Sequence, residues 1–172
     1  MADFLLDTMT ICYWFDETSP FHKSVRRTAD AISTFGSQVC VSVVTLGEIE
    51  YGRAANPGGM GGRLDEYSRF VRELLPRMLE VSKHTAEPYG RVRAKLVDRF
   101  PPPGGWSKKK RAEQLYDPIA AREFGIDEND LWLVAQAIER NLVLVTSDKM
   151  THIKEAVREI QPSFAFENWA VG

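Results

Sequence analysis

Four carboxylates, Asp7, Glu48, Asp130 and Asp148, stand where they could act together. Asp7 closes the apolar run Phe4-Leu5-Leu6, and Asp148 follows the run 142–145 after the hydroxyl pair Thr146-Ser147. Glu48 and Asp130 fall where helical periodicity begins. Strands of a parallel sheet finish, and the following helices start, on one edge, so all four acids are expected at that C-terminal edge, the usual place for a ligand. Crowded carboxylates repel one another and raise each other's pKa values, which costs stability unless a cation neutralises them. Oxygen ligands favour a hard ion, Mg²⁺ or Mn²⁺. His22, His84 and His152 have neither the paired spacing nor the strand position of zinc ligands, while Thr8, Thr146 and Ser147 are placed to orient ligands or water.

The unit that positions two of these acids is residues 127–148, DENDLWLVAQAIERNLVLVTSD. Leu131, Val134, Ala135 and Ile138 recur at the spacing of a buried helical face, with Asn129 expected as the N-cap and Asn141 as the stop. The helix then descends roughly 15 Å and the strand to Asp148 climbs back about 20 Å, returning the chain to the same edge. Around Glu48, a β-branched strand over 39–44 leads to Thr45, which is expected to begin a helix. That places Glu48 at N3, where a capping box competes with a ligand role. Asp7 presents the same choice between helix cap and site.

The alternation continues with helices over 20–35, 63–75, 84–100 and 153–160 and strands over 78–81 and 163–166, which makes the fold class α/β with a mainly parallel sheet. In the first of these helices His22, Lys23, Arg26 and Arg27 are expected on a solvated face. The Gly-rich stretch 56–62 reads as a hinge or exposed turn, since it lacks the flanking strand and the Lys-Ser/Thr of a phosphate loop. After Pro101-Pro-Pro-Gly-Gly105 comes the one basic run, Lys108, Lys109, Lys110 and Arg111, beside Trp106. It reads equally as a solvated loop or as a phosphate-contacting arm whose Trp106 could stack on an unpaired base.

At 172 residues and 44% hydrophobic content the chain can bury a full core, and a single domain over 1–172 is expected. The formal charge of −2 excludes a surface that traps polyanions everywhere, so nucleic-acid affinity must be local. An acid stands where a signal peptide needs bases and no apolar run approaches spanning length, so no membrane association and a cytoplasmic location are expected. Cys12 and Cys40 lack metal or redox spacing and read as buried free thiols.

The pieces LLDT at 5–8, SVVTLGEIEYG at 42–52, NDLWLVAQA at 129–137, LVLVTSD at 142–148 and ENW at 167–169 resemble, in order and over nearly the whole chain, a PIN-domain ribonuclease of the VapC toxin type. The resemblance implies a three-layer α/β/α fold. It also implies a metal-dependent endoribonuclease hydrolysing RNA phosphodiester bonds, the toxin of a toxin–antitoxin pair, with a cognate antitoxin and a homodimeric state. Asp7, Glu48, Asp130 and Asp148 are carried onto the family's acidic site, and Asp127 and Glu128 rank below Asp130. Two departures stand out: Met9 where many relatives have Asn, and a longer stretch over 101–125. Two other readings are a haloacid-dehalogenase-like phosphatase with Asp7 as nucleophile, which wants an acid where Met9 stands, and a non-catalytic Mg²⁺-binding regulatory or partner-docking module.

Overall fold

A computed structural model describes residues 2–56, 63–74, 77–100, 115–117, 122–123 and 125–171. Five strands, β1 (Phe4–Leu6), β2 (Val39–Ser42), β3 (Met78–Leu79), β6 (Val143–Val145) and β7 (Phe166–Glu167), form an all-parallel sheet in the order β3-β2-β1-β6-β7. The other two, β4 (Tyr116–Asp117) and β5 (Arg122–Glu123), pair antiparallel as a separate ribbon. That ribbon lies in the long 101–125 stretch, where the sequence shows no strand pattern. The helices are α1 (Thr8–Phe15), α2 (His22–Thr34), α3 (Val43–Ala55), α4 (Arg63–Leu74), α5 (Ala86–Arg99), α6 (Glu128–Arg140) and α7 (Thr151–Ile160).

The layering follows from the two-residue period of the strands. Leu5, Cys40 and Leu144 lie in register across β1, β2 and β6 and pack with Val92, Leu96, Leu131, Val134, Ile153 and Val157 of α5, α6 and α7. Their neighbours Leu6, Val41 and Val145 face the other way, onto Ile11, Val25, Ala29, Ile49 and Val71 of α1 to α4. Both faces of the central strands are therefore covered, which is why those strands read as unbroken apolar runs. Each buried Leu or Val contributes about 1.5–3 kcal/mol relative to exposure. Cys12 and Cys40 are free thiols, Cys40 buried and Cys12 half-buried. Among the described residues no helix is long and apolar enough to cross a membrane.

The helix starts that bear on the acids, those of α3 and α6, differ from the sequence reading. The N-cap of α3 is Ser42, whose hydroxyl accepts from the Val44 N–H at 2.9 Å, so the helix begins three residues earlier than expected. Thr45 lies inside it, and Glu48 falls in its second turn, beyond the reach of a capping box. The N-cap of α6 is Asp127, accepting from the Asn129 N–H at 2.8 Å, so Asn129 does not cap. In both cases a polar residue further upstream, itself able to cap, takes the role. Helix α1 is an addition to the elements expected from sequence. Its 8 residues, TMTICYWF, are mostly apolar and carry little periodic contrast to read. The Gly-rich residues 57–62 and the run 106–111 lie outside the described residues.

Candidate active site

Asp7 is only 3% exposed and serves as the N-cap of α1, its Oδ1 accepting from the Thr10 N–H at 2.6 Å. The cap and site readings thus coexist, because one carboxylate oxygen caps and the other does not. Oδ2 is buried and, among the described residues, has no hydrogen-bond partner. Burial pushes the Asp7 carboxyl above the usual carboxylate range; Thr10 and Thr146 oppose that rise, and the Asp148 charge adds to it. A buried acceptor without a donor carries a desolvation cost of ~1–3 kcal/mol, more when charged.

Glu48 reaches the same edge from α3. Its Oε2 accepts from the Thr8 hydroxyl and its Oε1 from the Asn129 side-chain amide at 2.7 Å. Asp130, the third residue of α6, is half-buried, and its pKa is pushed up to about 7. Burial is the leading cause, followed by the negative charges of Asp127, Asp148, Asp7 and Glu48. That single carboxyl feels the other three acids carried onto the site, and Asp127 besides. Asp148 is exposed just past β6, where its N–H donates to the Thr146 hydroxyl at 3.0 Å. The turn that brings it back is set by Asn141, whose left-handed φ of 53° ends α6, while the Leu142 N–H donates to the Ala137 carbonyl at 2.9 Å.

The charges of Asp7, Glu48 and Asp148 thus all bear on Asp130. Asp130 and Asp148 line a cavity of about 320 Å³ with Lys149, Thr151 and His152. Of the hydroxyls, Thr8 and Thr146 engage the acids, whereas Ser147 makes no side-chain hydrogen bond among the described residues. Met9 is 41% exposed and lines a different, largely apolar cavity with Cys12, Tyr13 and Tyr67. Glu128 belongs to a neighbouring cluster, accepting from the Tyr89 hydroxyl, whose ring stacks on Trp132. Asn129 is the site residue that sequence reasoning missed. Asp127, two residues earlier and itself a good cap, was the signal that could have freed Asn129 for another role.

Among the described residues no three His, Cys, Asp or Glu side chains already stand close enough to enclose an ion. An open, all-oxygen set still suits Mg²⁺, which keeps several waters and takes one or two carboxylates together with substrate phosphate. The unpartnered Oδ2 of Asp7 is the atom such an ion would satisfy.

A family model described as a PIN domain matches residues 4–156. No curated protein matches the sequence significantly. Solved structures similar in fold include VapBC2 from Rickettsia felis bound to a promoter DNA fragment, with TM-score 0.66, 19% identity, and 96% of this chain and 98% of that one covered. DNA-bound VapBC from Salmonella typhimurium gives TM-score 0.66 and 20% identity over 98% of this chain and 99% of that one. Mycobacterium tuberculosis VapC20, a sarcin-ricin loop cleaving toxin, gives TM-score 0.50 and 11% identity over 89% and 95%. At these identities the structural likeness speaks for the fold alone, and the family model spans most of the chain. The protein therefore belongs to the PIN-domain family, a family of nucleases, and not to the phosphatases considered as the alternative.

Proposed function

We propose that the protein is a metal-dependent endoribonuclease, the toxin half of a toxin–antitoxin pair, with Asp7, Glu48, Asp130 and Asp148 as its acidic centre. The observation that carries this reading is Asp130, whose carboxyl is pushed up to about 7 by burial and by converging negative charge. Elsewhere in a fold such a cluster is a liability; at the C-terminal edge of a parallel sheet it is where an ion and a phosphodiester can be held. When bound, Mg²⁺ or Mn²⁺ supplies Lewis acidity to the phosphodiester and acidifies an attacking water. Asp7 would offer its Oδ2 to such an ion, and Asp130 would offer a carboxylate for which protons and metal would compete near neutrality. Glu48 contributes charge from a side chain already fixed by two donors, and Thr146 orients the backbone that carries Asp148. Water attacks directly, so no residue needs to become covalently attached to RNA.

The VapBC complexes of similar fold, and the VapC20 toxin that cleaves the sarcin-ricin loop, support RNA as substrate and a cognate antitoxin as partner. A homodimer and a single domain over 1–172 complete the reading. The deciding experiment incubates purified protein with a mixed RNA pool in Mg²⁺ or Mn²⁺, with and without EDTA, and maps the cut ends. Cleavage that EDTA abolishes, leaving 5′-phosphates, is expected. Metal binding without turnover would instead favour a non-catalytic Mg²⁺-binding module.

A further inference from the structure

Glu48 poses a geometric difficulty that its neighbours solve. It is the sixth residue of α3, more than a full turn away from the strand end that the other acids border, so nothing in the helix itself directs its carboxylate to the edge. Two donors from other elements do. The Thr8 hydroxyl, at the start of α1, binds one oxygen, and the Asn129 amide, at the second position of α6, binds the other at 2.7 Å. Because a carboxylate only accepts, it is the amide nitrogen of Asn129 that must face it. Asp127 already caps α6, so the Asn129 side chain is released from the duty its position suggests.

We infer that Asn129 is a positioning residue for the acidic centre: its amide ties α6 to α3 and aims Glu48 at the ion that the centre holds. This rests on the metal-dependent reading proposed above. The chemistry of the donor matters as much as its reach. Hydrogen bonds to an ionised carboxylate are roughly twice as strong as those between neutral groups, so a single amide fixes the side chain firmly. An amide also carries no charge, and it leaves the whole negative charge of Glu48 available to a cation. A Lys or Arg in its place would occupy the carboxylate with a rival positive charge.

The test is a double-mutant cycle on the full chain, read as Mn²⁺ affinity by calorimetry and as metal-free melting temperature, with no dependence on catalysis. Asn129→Ala is expected to weaken Mn²⁺ binding by about 10–100-fold, the range typical of partners that orient a metal ligand. Its metal-free melting temperature should fall slightly, because the lost charge-assisted hydrogen bond is only partly offset by the helix propensity of Ala. In a Glu48→Gln background the same substitution should alter affinity by less than about twofold, because the partner it orients is gone. Full Mn²⁺ affinity in Asn129→Ala, where Glu48→Gln alone weakens binding, overturns the role of Asn129 and leaves the acidic centre standing. Equal losses in both backgrounds overturn it too, since Asn129 would then act by another route. A wild-type protein that binds no Mn²⁺ removes both the centre and this inference.

Discussion

Two acidic regions of the molecule are handled in opposite ways. Along the seam between α5 and α7, Glu159 lies 2.7 Å from Lys95 and 2.6 Å from Arg99, and Arg99 also reaches Glu155 at 3.0 Å. There the carboxylates meet cations, and the Glu159 pKa is held below its ordinary value, by Lys95 foremost. At the sheet edge the carboxylates of Asp7, Glu48, Asp130 and Asp148 form no ion pair among the described residues; Asp7 and Glu48 accept from neutral donors, and the Lys154 ammonium reaches only the Asp148 backbone carbonyl, at 3.1 Å. The same chain therefore pairs carboxylates with cations along the seam and leaves them without a salt bridge where the strands end, with Lys154 the cation that borders Asp148. The two regions should consequently respond with opposite sign to protons, to metal and to mutation.

The largest effect should come from removing charge at the edge. Asp7→Asn and Asp130→Asn are each expected to lower RNA cleavage by more than the ~10–100-fold that losing an outer partner of a metal ligand costs. The metal-free proteins should nevertheless be at least as stable as wild type. The Asp130 carboxyl titrates near 7 in the folded state against an ordinary value of 3.8, so ionising it opposes folding. At ~1.4 kcal/mol per pH unit between the two values, the penalty is absent below pH 4 and grows to roughly 4 kcal/mol above pH 7. Asp130→Asn should recover most of that at pH 8 and almost none at pH 4, as urea titrations at the two pH values would show. Cleavage retained in Asp130→Asn with metal present would sink the proposed centre.

Divalent ions come next. Binding to the folded state alone adds about 2.7 kcal/mol at a hundredfold excess over Kd. Mg²⁺ or Mn²⁺ should raise Tm more than Na⁺ at equal ionic strength, and the difference should widen from pH 6 to pH 8 as Asp130 gives up its proton. A Tm indifferent to millimolar divalent ions across that range would return the edge to the class of tolerated structural acids.

The contrast between seam and edge also shows what the sequence could and could not disclose. Strand-terminal acids and apolar runs are local signals, and with them came the parallel sheet, Asp7 and Asp148, and the helix that starts near Asp130. Capping is a competition among neighbours, which is why Ser42 and Asp127 displaced Thr45 and Asn129. Glu48 belongs at the edge for a different reason from the one its spacing suggested: hydrogen bonds to Thr8 and Asn129, 40 and 81 residues away, hold it there. Interactions at such separations leave no periodic trace in one sequence. Helix α1 escaped because its apolar residues form no clear stripe, and the α5–α7 seam because ion pairing between two helices depends on their relative rotation.

Positive charge for holding RNA is a third point of comparison. The cations of α5 are committed to carboxylates, as the pairs of Lys95 and Arg99 illustrate. Lys108, Lys109 and Lys110, which lie outside the described residues, are therefore the proposed source. In an Asp130→Asn background, replacing the three by Ala should weaken RNA binding and flatten its log–log salt dependence by about 0.7 for each phosphate no longer neutralised. An unchanged slope would assign the run to a solvated loop or to an antitoxin-docking surface.

The smallest effect is expected at the seam itself. Glu159 and its partners sit at the surface, where solvent screens an ion pair and ordering two long side chains offsets much of its attraction. Glu159→Gln should therefore lower Tm only slightly at neutral pH, and high salt should erase the difference, because screening weakens the wild-type pair as well. The pH dependence must run opposite to that of Asp130. A carboxyl whose pKa is depressed by folding contributes stability above its unfolded value, near 4.3 for Glu, and that contribution fades as pH falls through the folded value. Acidification thus removes what little the seam supplies while it relieves the edge. RNA cleavage, Mn²⁺ affinity and the rise of Tm with metal should all match wild type in Glu159→Gln. If this variant instead lost metal response as the edge variants do, the two regions would be coupled, and α7, which follows the Asp148 turn directly, would be the element carrying that coupling.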